Sequence, residues 1–471
     1  MKQRDDLRKA QRALIDEMDQ WANGIAVLGM GGGKTAATLF SIRDGLGHAF
    51  RKAIVIAPPR TLRTAWAREP AKWQELAGLK VAILDGSPAK RLEMLKDASY
   101  DVYVISTNLT LWLNKTLRQR KNFCVGLDNT LLVIDEISMF SGPTSTWGAN
   151  LAKLAQGFFG VWGLTGTPMS RNHLQLYRQV EIVAGRAPWN GWNFSEWRDV
   201  YFKSDYNGHN WTPRDARAQQ EIEGIARRYM VFAPTNDLDV PEVVMGEDID
   251  IEVALSDEQK QHLDDLTKHL IARGMRPEDL TEWLVEAASR GVATGKMTQV
   301  TQGFLYCEEE EPTILLDENP KLDAYRELSA RLGATPTVVC YGYRAELDDL
   351  RFEAEKAGLS HATLGAGQRH PEKVIEAWQR GEIERLFLHP ASAGHGVDGL
   401  QEGGHHMVWY HPTWSAEQFW QTVRRLARPG QKNETVVSRI LAGPVDTAKV
   451  LRVAARQQDA DEFMEGLRCL V

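Results

Sequence analysis

Lys34 stands directly behind three consecutive glycines in the stretch AVLGMGGGKTAAT (residues 26–38), and Thr35 follows it. Glycines let successive backbone N–H groups turn inward and cradle phosphate oxygens at a helix N-terminus. A lysine there neutralises the β and γ phosphates, and a threonine hydroxyl holds Mg2+. Gly29, Gly31, Gly32 and Gly33 would form that cradle. The context fits: GIAVLG reads as a strand entering the loop and KTAATLF as a helix leaving it. The strict phosphate-loop pattern G-x-x-x-x-G-K-[ST] nevertheless asks for glycine where this chain has Leu28. A flexible turn that ends in Lys-Thr shares the composition, so the loop alone leaves both readings open.

A second group of reactive side chains ends the run TLLVIDEISMF, which delivers Asp135 and Glu136. A strand that presents two carboxylates beside a phosphate loop suits hydrolysis. Asp135 would partner Mg2+ through water, and Glu136 would orient the attacking water. Strands also end in ordinary acidic turns, and it is the combination with Lys34 that favours the chemical reading.

The elements that must position these groups follow from periodicity. GIAVLG, KAIVIAP, DVYVIS, TLLVIDE and GVWGLTG are buried strands, separated by helix-length segments such as Leu62 to Leu76. Continuous apolar strands alternating with helices predict a parallel sheet covered on both faces, with ligands at the carboxyl ends of its strands. The glycine loop, Asp135-Glu136 and Thr165-Gly166 all fall at such ends. A second set, TPTVVCYG, ERLFLHP, HHMVWYH and TVVSRIL, predicts a similar layer in the C-terminal half. Between them, residues 177–230 read as an aromatic-rich helical insertion, APTNDLDVPE as a linker, and Ser256 to Ser289 as further helix. Phe194, Trp197 and Tyr201 share one helical face, which favours a packed core over base stacking.

The bulk composition is that of an ordinary globular chain: 471 residues, 43% apolar, 25% charged, net charge −7. The acidic total excludes nucleic-acid binding through the whole surface but leaves room for a local basic groove. Cys124, Cys307, Cys340 and Cys469 are far apart, so free thiols in a reducing cytoplasm are expected, with no zinc site. The histidines at 389, 395, 405, 406 and 411 invite a metal reading by count, but without paired cysteines zinc binding is not expected. No apolar run reaches membrane-spanning length, and MKQRDDLRKAQ is too charged for a signal peptide.

Further segments join the loop and the acidic pair in a fixed order: LRKAQ, KAIVIAPPRTLRTAWAREPAKW, DVYVISTNL, GLTGTPMSRN, VVCYGYRAELDDL, HPASAGHGVDGLQ and QTVRRLARPGQ. In this order they resemble the superfamily II helicases and, within them, the Swi/Snf-type branch, especially its compact phage-encoded DEAD/DEAH-like members. The match runs from Gln11 to Gln431, and the tail PVDTAKVLRV also resembles the family's ending. Members of this branch carry the shorter loop M-G-x-G-K-T, which MGGGKT fits, so Leu28 is no sign of decay. Gly32 stands where a side chain is usual and adds flexibility at some entropic cost.

The resemblance implies roles for individual residues. Gln11 would read adenine, giving a preference for ATP. Lys34 and Thr35 would bind phosphate and Mg2+, with Asp135 and Glu136 as the acidic pair. Thr165 and Thr167 would couple the ATP and DNA sites. QTVRRLARPGQ matches Q-x-x-x-R-x-x-R-x-G-Q, making Arg425 and Arg428 arginine fingers with Gln421 nearby. A solvated helix face would show the same arginine spacing. Gly396 and Asp398 would lie near the nucleotide, although GVDGLQ departs from the branch's usual G-L-N-L and Ala427 replaces its usual histidine. Arg60, Arg63, Ser106, Thr107 and Ser392 are candidate DNA contacts, with ordinary surface positions as the competing reading.

The implied fold is α/β: two tandem RecA-like domains, parallel sheets flanked by helices, with helical insertions. The expected bounds are 1–235 for the ATP-binding domain, 236–255 for a linker, and 256–471 for the second domain with an insertion at 256–305. The implied activity is a DNA-stimulated ATPase acting as helicase or translocase, in phage replication, recombination or repair. The expected partners are double- or single-stranded DNA, bound without sequence preference, and a nuclease or replication protein. The alternative is an ATP-gated DNA clamp or scaffold that recruits a nuclease.

Overall fold

The computed structural model describes residues 1–29, 31–59, 61–119, 126–142, 144–169, 172–204, 211–232, 245–275, 282–286, 290–306, 313–365, 371–393, 399–428 and 430–469. The chain divides into two compact units, whose main spans are Met1–Pro241 and Glu242–Gly394 with Asp398–Ala455.

The first unit is built on the strands β1 (Asn23–Val27), β2 (Lys52–Ala57), β3 (Val81–Ile83), β4 (Val102–Ser106), β5 (Thr130–Asp135) and β6 (Gly160–Thr165). A short antiparallel hairpin, β7 (Phe202–Ser204) and β8 (Trp211–Pro213), precedes β9 (Met230–Phe232). The sheet order is β3-β4-β2-β5-β6-β1-β9, and every pairing is parallel. Successive side chains of a strand point to opposite faces. Accordingly Ile54, Ile56, Leu132 and Ile134 enter one apolar core, while Ala53, Val55, Leu131 and Val133 enter the other. Two cores, one on each face, explain why these strands read as unbroken apolar runs.

The aromatic insertion is a core, as its helical spacing predicts. Trp189 and Trp197 are wholly buried, with ring centroids 5.2 Å apart, and Tyr177 lies 5.1 Å from Trp197. The strand that follows it, β9, pairs with β1 in register Ile25–Met230 to Val27–Phe232.

The second unit has β10 (Ile249–Val253), then two hairpins, β11 (Ile271–Met275) with β12 (Glu282–Glu286) and β13 (Phe304–Leu305) with β14 (Ile314–Leu315). β15 (Thr337–Cys340), β16 (His361–Leu364), β17 (Arg385–Leu388), β18 (His406–Trp409) and β19 (Val436–Ala442) follow. The main sheet, β10-β19-β18-β15-β17-β16, is again wholly parallel. At its carboxyl end Lys321, Asp446 and Lys449 are wholly buried together, and Asp446 pairs with both ammoniums.

Three expectations need correction. Residues 249–253, assigned to a linker, are the edge strand β10: IDIEV alternates because one face stays wet. The helix expected over Leu62 to Leu76 is two short turns, Leu62–Trp66 and Pro70–Lys72. Pro70 opens the second turn and has no N–H to continue the first. Among the described residues, helix over Ser256 to Ser289 holds only for Asp257–His269, after which the chain forms the β11–β12 hairpin. No helix among the described residues is long and apolar enough to cross a membrane.

Candidate active site

β5, β6 and β1 are consecutive neighbours in the first sheet, so their carboxyl ends bring three of the predicted motifs together. β1 runs through Val27 into the glycine loop, and the helix Lys34–Gly45 begins directly after it. Gly31 and Gly33 have φ of 74° and 82°, left-handed values that favour glycine. A Cβ at Gly33 would run into the Gln11 amide. At Gly32 a Cβ would lie 2.6 Å from Leu28 Cγ and 2.9 Å from Gly29 O. Gly32 is therefore fixed by close packing, and its N–H donates to Gly29 O at 3.1 Å. The flexibility expected of it is not what the position uses.

The loop is braced from the preceding helix, Lys9–Gln20. Gln11 Nε2 donates to Gly33 O at 3.1 Å, and Arg8 donates through its guanidinium to Gly31 O at 3.0 Å. Gln11 is only 5% exposed. Lys34 Nζ donates to Leu28 O at 2.7 Å. The first N–H groups of a helix lack intrahelical acceptors and carry the positive end of its dipole. With left-handed glycines, a lysine and Thr35 at that terminus, the donor set fits a polyphosphate.

Asp135 and Glu136 end β5, both partly exposed. Glu136 is left-handed at φ 60°, uncommon outside glycine, and it begins the short helical turn Ile137–Phe140. Two hydroxyls hold its Oε1: Ser138 Oγ donates at 2.7 Å and Thr165 Oγ1 at 3.0 Å. The Thr167 N–H donates to Thr165 Oγ1 at 3.1 Å, and the Leu28 N–H to Thr165 O at 3.1 Å. Thr165 therefore touches the acidic pair, the loop entry and Thr167 at once. Asp135 Oδ2 accepts from Trp66 Nε1 at 2.9 Å. The sequence reading did not single out Trp66. Its signal was faint, a tryptophan in the polar segment after β2.

The second unit carries the remaining candidates. The helix Ala416–Leu426 is capped by Ser415, whose Oγ accepts the Gln418 N–H at 3.2 Å. Gln421 is buried, and its amide donates to Glu417 Oε1 at 3.0 Å. Arg425 and Arg428 are partly exposed. Gln431, which ends the arginine pattern, donates to Gly404 O at 2.8 Å and Gln401 O at 3.1 Å, anchoring the turn that follows Arg428.

The DNA candidates divide. Arg63 is exposed and pairs with Asp85. Ser106 is partly buried and accepts the Asn108 N–H at 3.3 Å. Thr107 is a correction: it is wholly buried in the turn after β4, so its side chain has no surface to offer a phosphate. Arg60, Gly396 and Asp398 lie outside the described residues. Ser392 lies in the short helix Pro390–Ala393, and its side chain is outside the description.

Residues 8–289, more than half of the chain, match the family described as the SNF2-related domain. Putative protein p41 of Acyrthosiphon pisum secondary endosymbiont phage 1 is 26% identical over 477 residues, covering 98% of each chain. Among solved structures, the helicase domain of Hef from Pyrococcus furiosus has a TM-score of 0.52 at 15% identity, covering 94% of this chain and 97% of that one. That likeness shows the expected tandem RecA-like fold. The SWI2/SNF2 ATPase core of Sulfolobus solfataricus, solved in complex with dsDNA, has a TM-score of 0.43 at 18% identity, covering 98% and 96%. The chain belongs to the SNF2-related family, and with it to the ATP-hydrolysing enzymes of the helicase and translocase class.

Proposed function

We propose that this chain couples ATP hydrolysis to movement along DNA, serving phage DNA replication, recombination or repair. One arrangement carries the reading: the glycine loop, Asp135-Glu136 and Thr165–Thr167 converge at the ends of the adjacent strands β1, β5 and β6. Lys34 and the loop N–H groups bind the phosphates of ATP, and Gln11, packed on Gly33, reads the base. Thr35 and Asp135 hold Mg2+, which neutralises phosphate charge when bound. Glu136, fixed by two hydroxyls, orients the attacking water. Arg425 and Arg428 act as arginine fingers, supplying positive charge to the γ-phosphate. Arg60, Arg63, Ser106 and Ser392 contact DNA phosphates, which would make binding sequence-independent and steeply salt-dependent.

The deciding experiment measures ATP turnover against single-stranded, duplex and forked DNA and RNA, together with triplex displacement. Stimulation by DNA with displacement supports a motor. Turnover indifferent to every nucleic acid would remove the DNA reading, and stimulation without displacement would favour a clamp.

A further inference from the structure

The segment leaving β2 makes one π-helical turn, Leu62–Trp66, in which the Ala67 N–H donates to Leu62 O, five residues back, at 3.0 Å. A π turn adds a residue relative to α-helical spacing and is frequent at functional sites. The last residue of this turn, Trp66, is wholly buried in the core beneath the sheet. A buried indole has a single donor. Trp197 and Trp409 bury theirs without an acceptor among the described residues. Trp162, Trp189 and Trp378 satisfy theirs with backbone carbonyls, at 3.1, 3.2 and 2.8 Å. Trp73 uses Glu69 of its own turn. Trp66 instead spends its donor on Asp135 Oδ2, 69 residues along the chain, at the end of the neighbouring strand β5.

We propose that Trp66 is a positioning residue for the Asp135 carboxylate. The terminal torsion of an aspartate is broad, so an unrestrained carboxylate would rotate. A donor fixed in a packed core holds Oδ2 and so sets the orientation in which the carboxylate would meet the metal that accompanies the nucleotide. Outer partners of this kind orient metal-facing carboxylates and tune their affinity. Trp66 also lies on the segment that carries Arg63, so the hydrogen bond ties the β2 exit to the end of β5. The proposal rests on Asp135 being the metal-facing carboxylate.

The test replaces Trp66 with 3-benzothienylalanine, which keeps the shape of the indole and exchanges N–H for sulfur, and separately makes Trp66→Phe. Mn2+ binding is titrated in the presence of a non-hydrolysable ATP analogue and read from the paramagnetic resonance of free Mn2+. The expected midpoint rises about tenfold in both variants. Nucleotide affinity in EDTA stays at the wild-type value, and the benzothienyl protein keeps the wild-type Tm. Excess Mg2+ should then restore its ATP turnover, which repair of a merely packing defect would not do. An unchanged Mn2+ midpoint in the benzothienyl protein overturns the proposal. A wild-type protein that binds Mn2+ with the analogue but turns over no ATP would sink the motor reading, while the two midpoints still decide Trp66.

Discussion

Thr165 Oγ1 donates to Glu136 Oε1 at 3.0 Å and accepts the Thr167 N–H at 3.1 Å, so one buried hydroxyl joins the acidic pair to the motif that follows β6. A hydrogen bond to a charged group contributes about 1.5–3 kcal/mol, worth roughly ten- to a hundredfold in rate if it is needed in the transition state. Thr165→Val, close to isosteric, should therefore lower kcat for ATP by about tenfold or more with little change in KM. Thr165→Ser should restore most of the rate. Glu136→Gln should bind ATP with wild-type affinity and barely hydrolyse it. Steady-state kinetics with an equilibrium nucleotide titration checks all three, and a Glu136→Gln protein turning over normally would end the assignment.

Gly33 offers a separate test of the loop. Its φ of 82° costs an L-residue about 1–2 kcal/mol, and its Cβ would strike the Gln11 amide. Gly33→Ala should lower Tm and abolish measurable nucleotide binding. Adding Gln11→Ala removes the collision but not the backbone strain, so Tm should recover only in part. Full recovery would mean that the left-handed conformation is not required.

The arginines test coupling. Arg428→Ala should leave ATP affinity within about tenfold and lower DNA-stimulated turnover by ~10³. Arg428→Lys should rescue poorly, because an ammonium lacks the planar fork of a guanidinium. If Arg428→Ala keeps stimulated turnover, the same measurement on Arg425→Ala decides whether either arginine acts as a finger.

The buried charges of the second unit predict a pH dependence. Burial pushes the Asp446 carboxyl up, but the Lys321 and Lys449 ammoniums outweigh it and hold it below its ordinary value. Burial pulls the Lys321 ammonium down at the same time. Asp446 also accepts the Ala442 N–H, and the Lys321 and Lys449 side chains flank it. A depressed carboxyl contributes stability that is present above the unfolded pKa of about 4 and lost as pH falls through the folded value. Acid should therefore destabilise this unit below about pH 4. Asp446→Asn should cost about 3 kcal/mol at neutral pH and flatten the acid limb. Thermal unfolding across pH reads both effects, and an unaltered acid limb in the variant would assign it to other carboxylates.

The long apolar strands were legible in the sequence because both faces of each sheet are covered: KAIVIA and TLLVID have no polar alternation to blur them. The short strands were not. VAI of β3 and MVF of β9 are three residues each, too few to show a period, and β10 alternates like a solvated segment. The glycine loop and the acidic pair announced themselves by residue type and order. Thr107 did not reveal its burial, since a polar residue after a strand looks the same whether the turn folds over it or leaves it open. Trp66 was invisible for another reason: its partner is set by which strands are neighbours, and no local spacing encodes the pairing of β2 with β5.

β9 pairs with β1, the strand that leads into the glycine loop, and it arrives only after the whole aromatic insertion. The insertion is therefore stitched into the sheet and is not a detachable ornament. Excising the insertion together with β9, residues 177–232, would strip β1 of its outer neighbour and leave a row of unpaired backbone groups beside the loop, a ready template for pairing with another chain. Attempts to miniaturise this protein, or to transplant its nucleotide half, must carry the insertion along or cap that strand by other means.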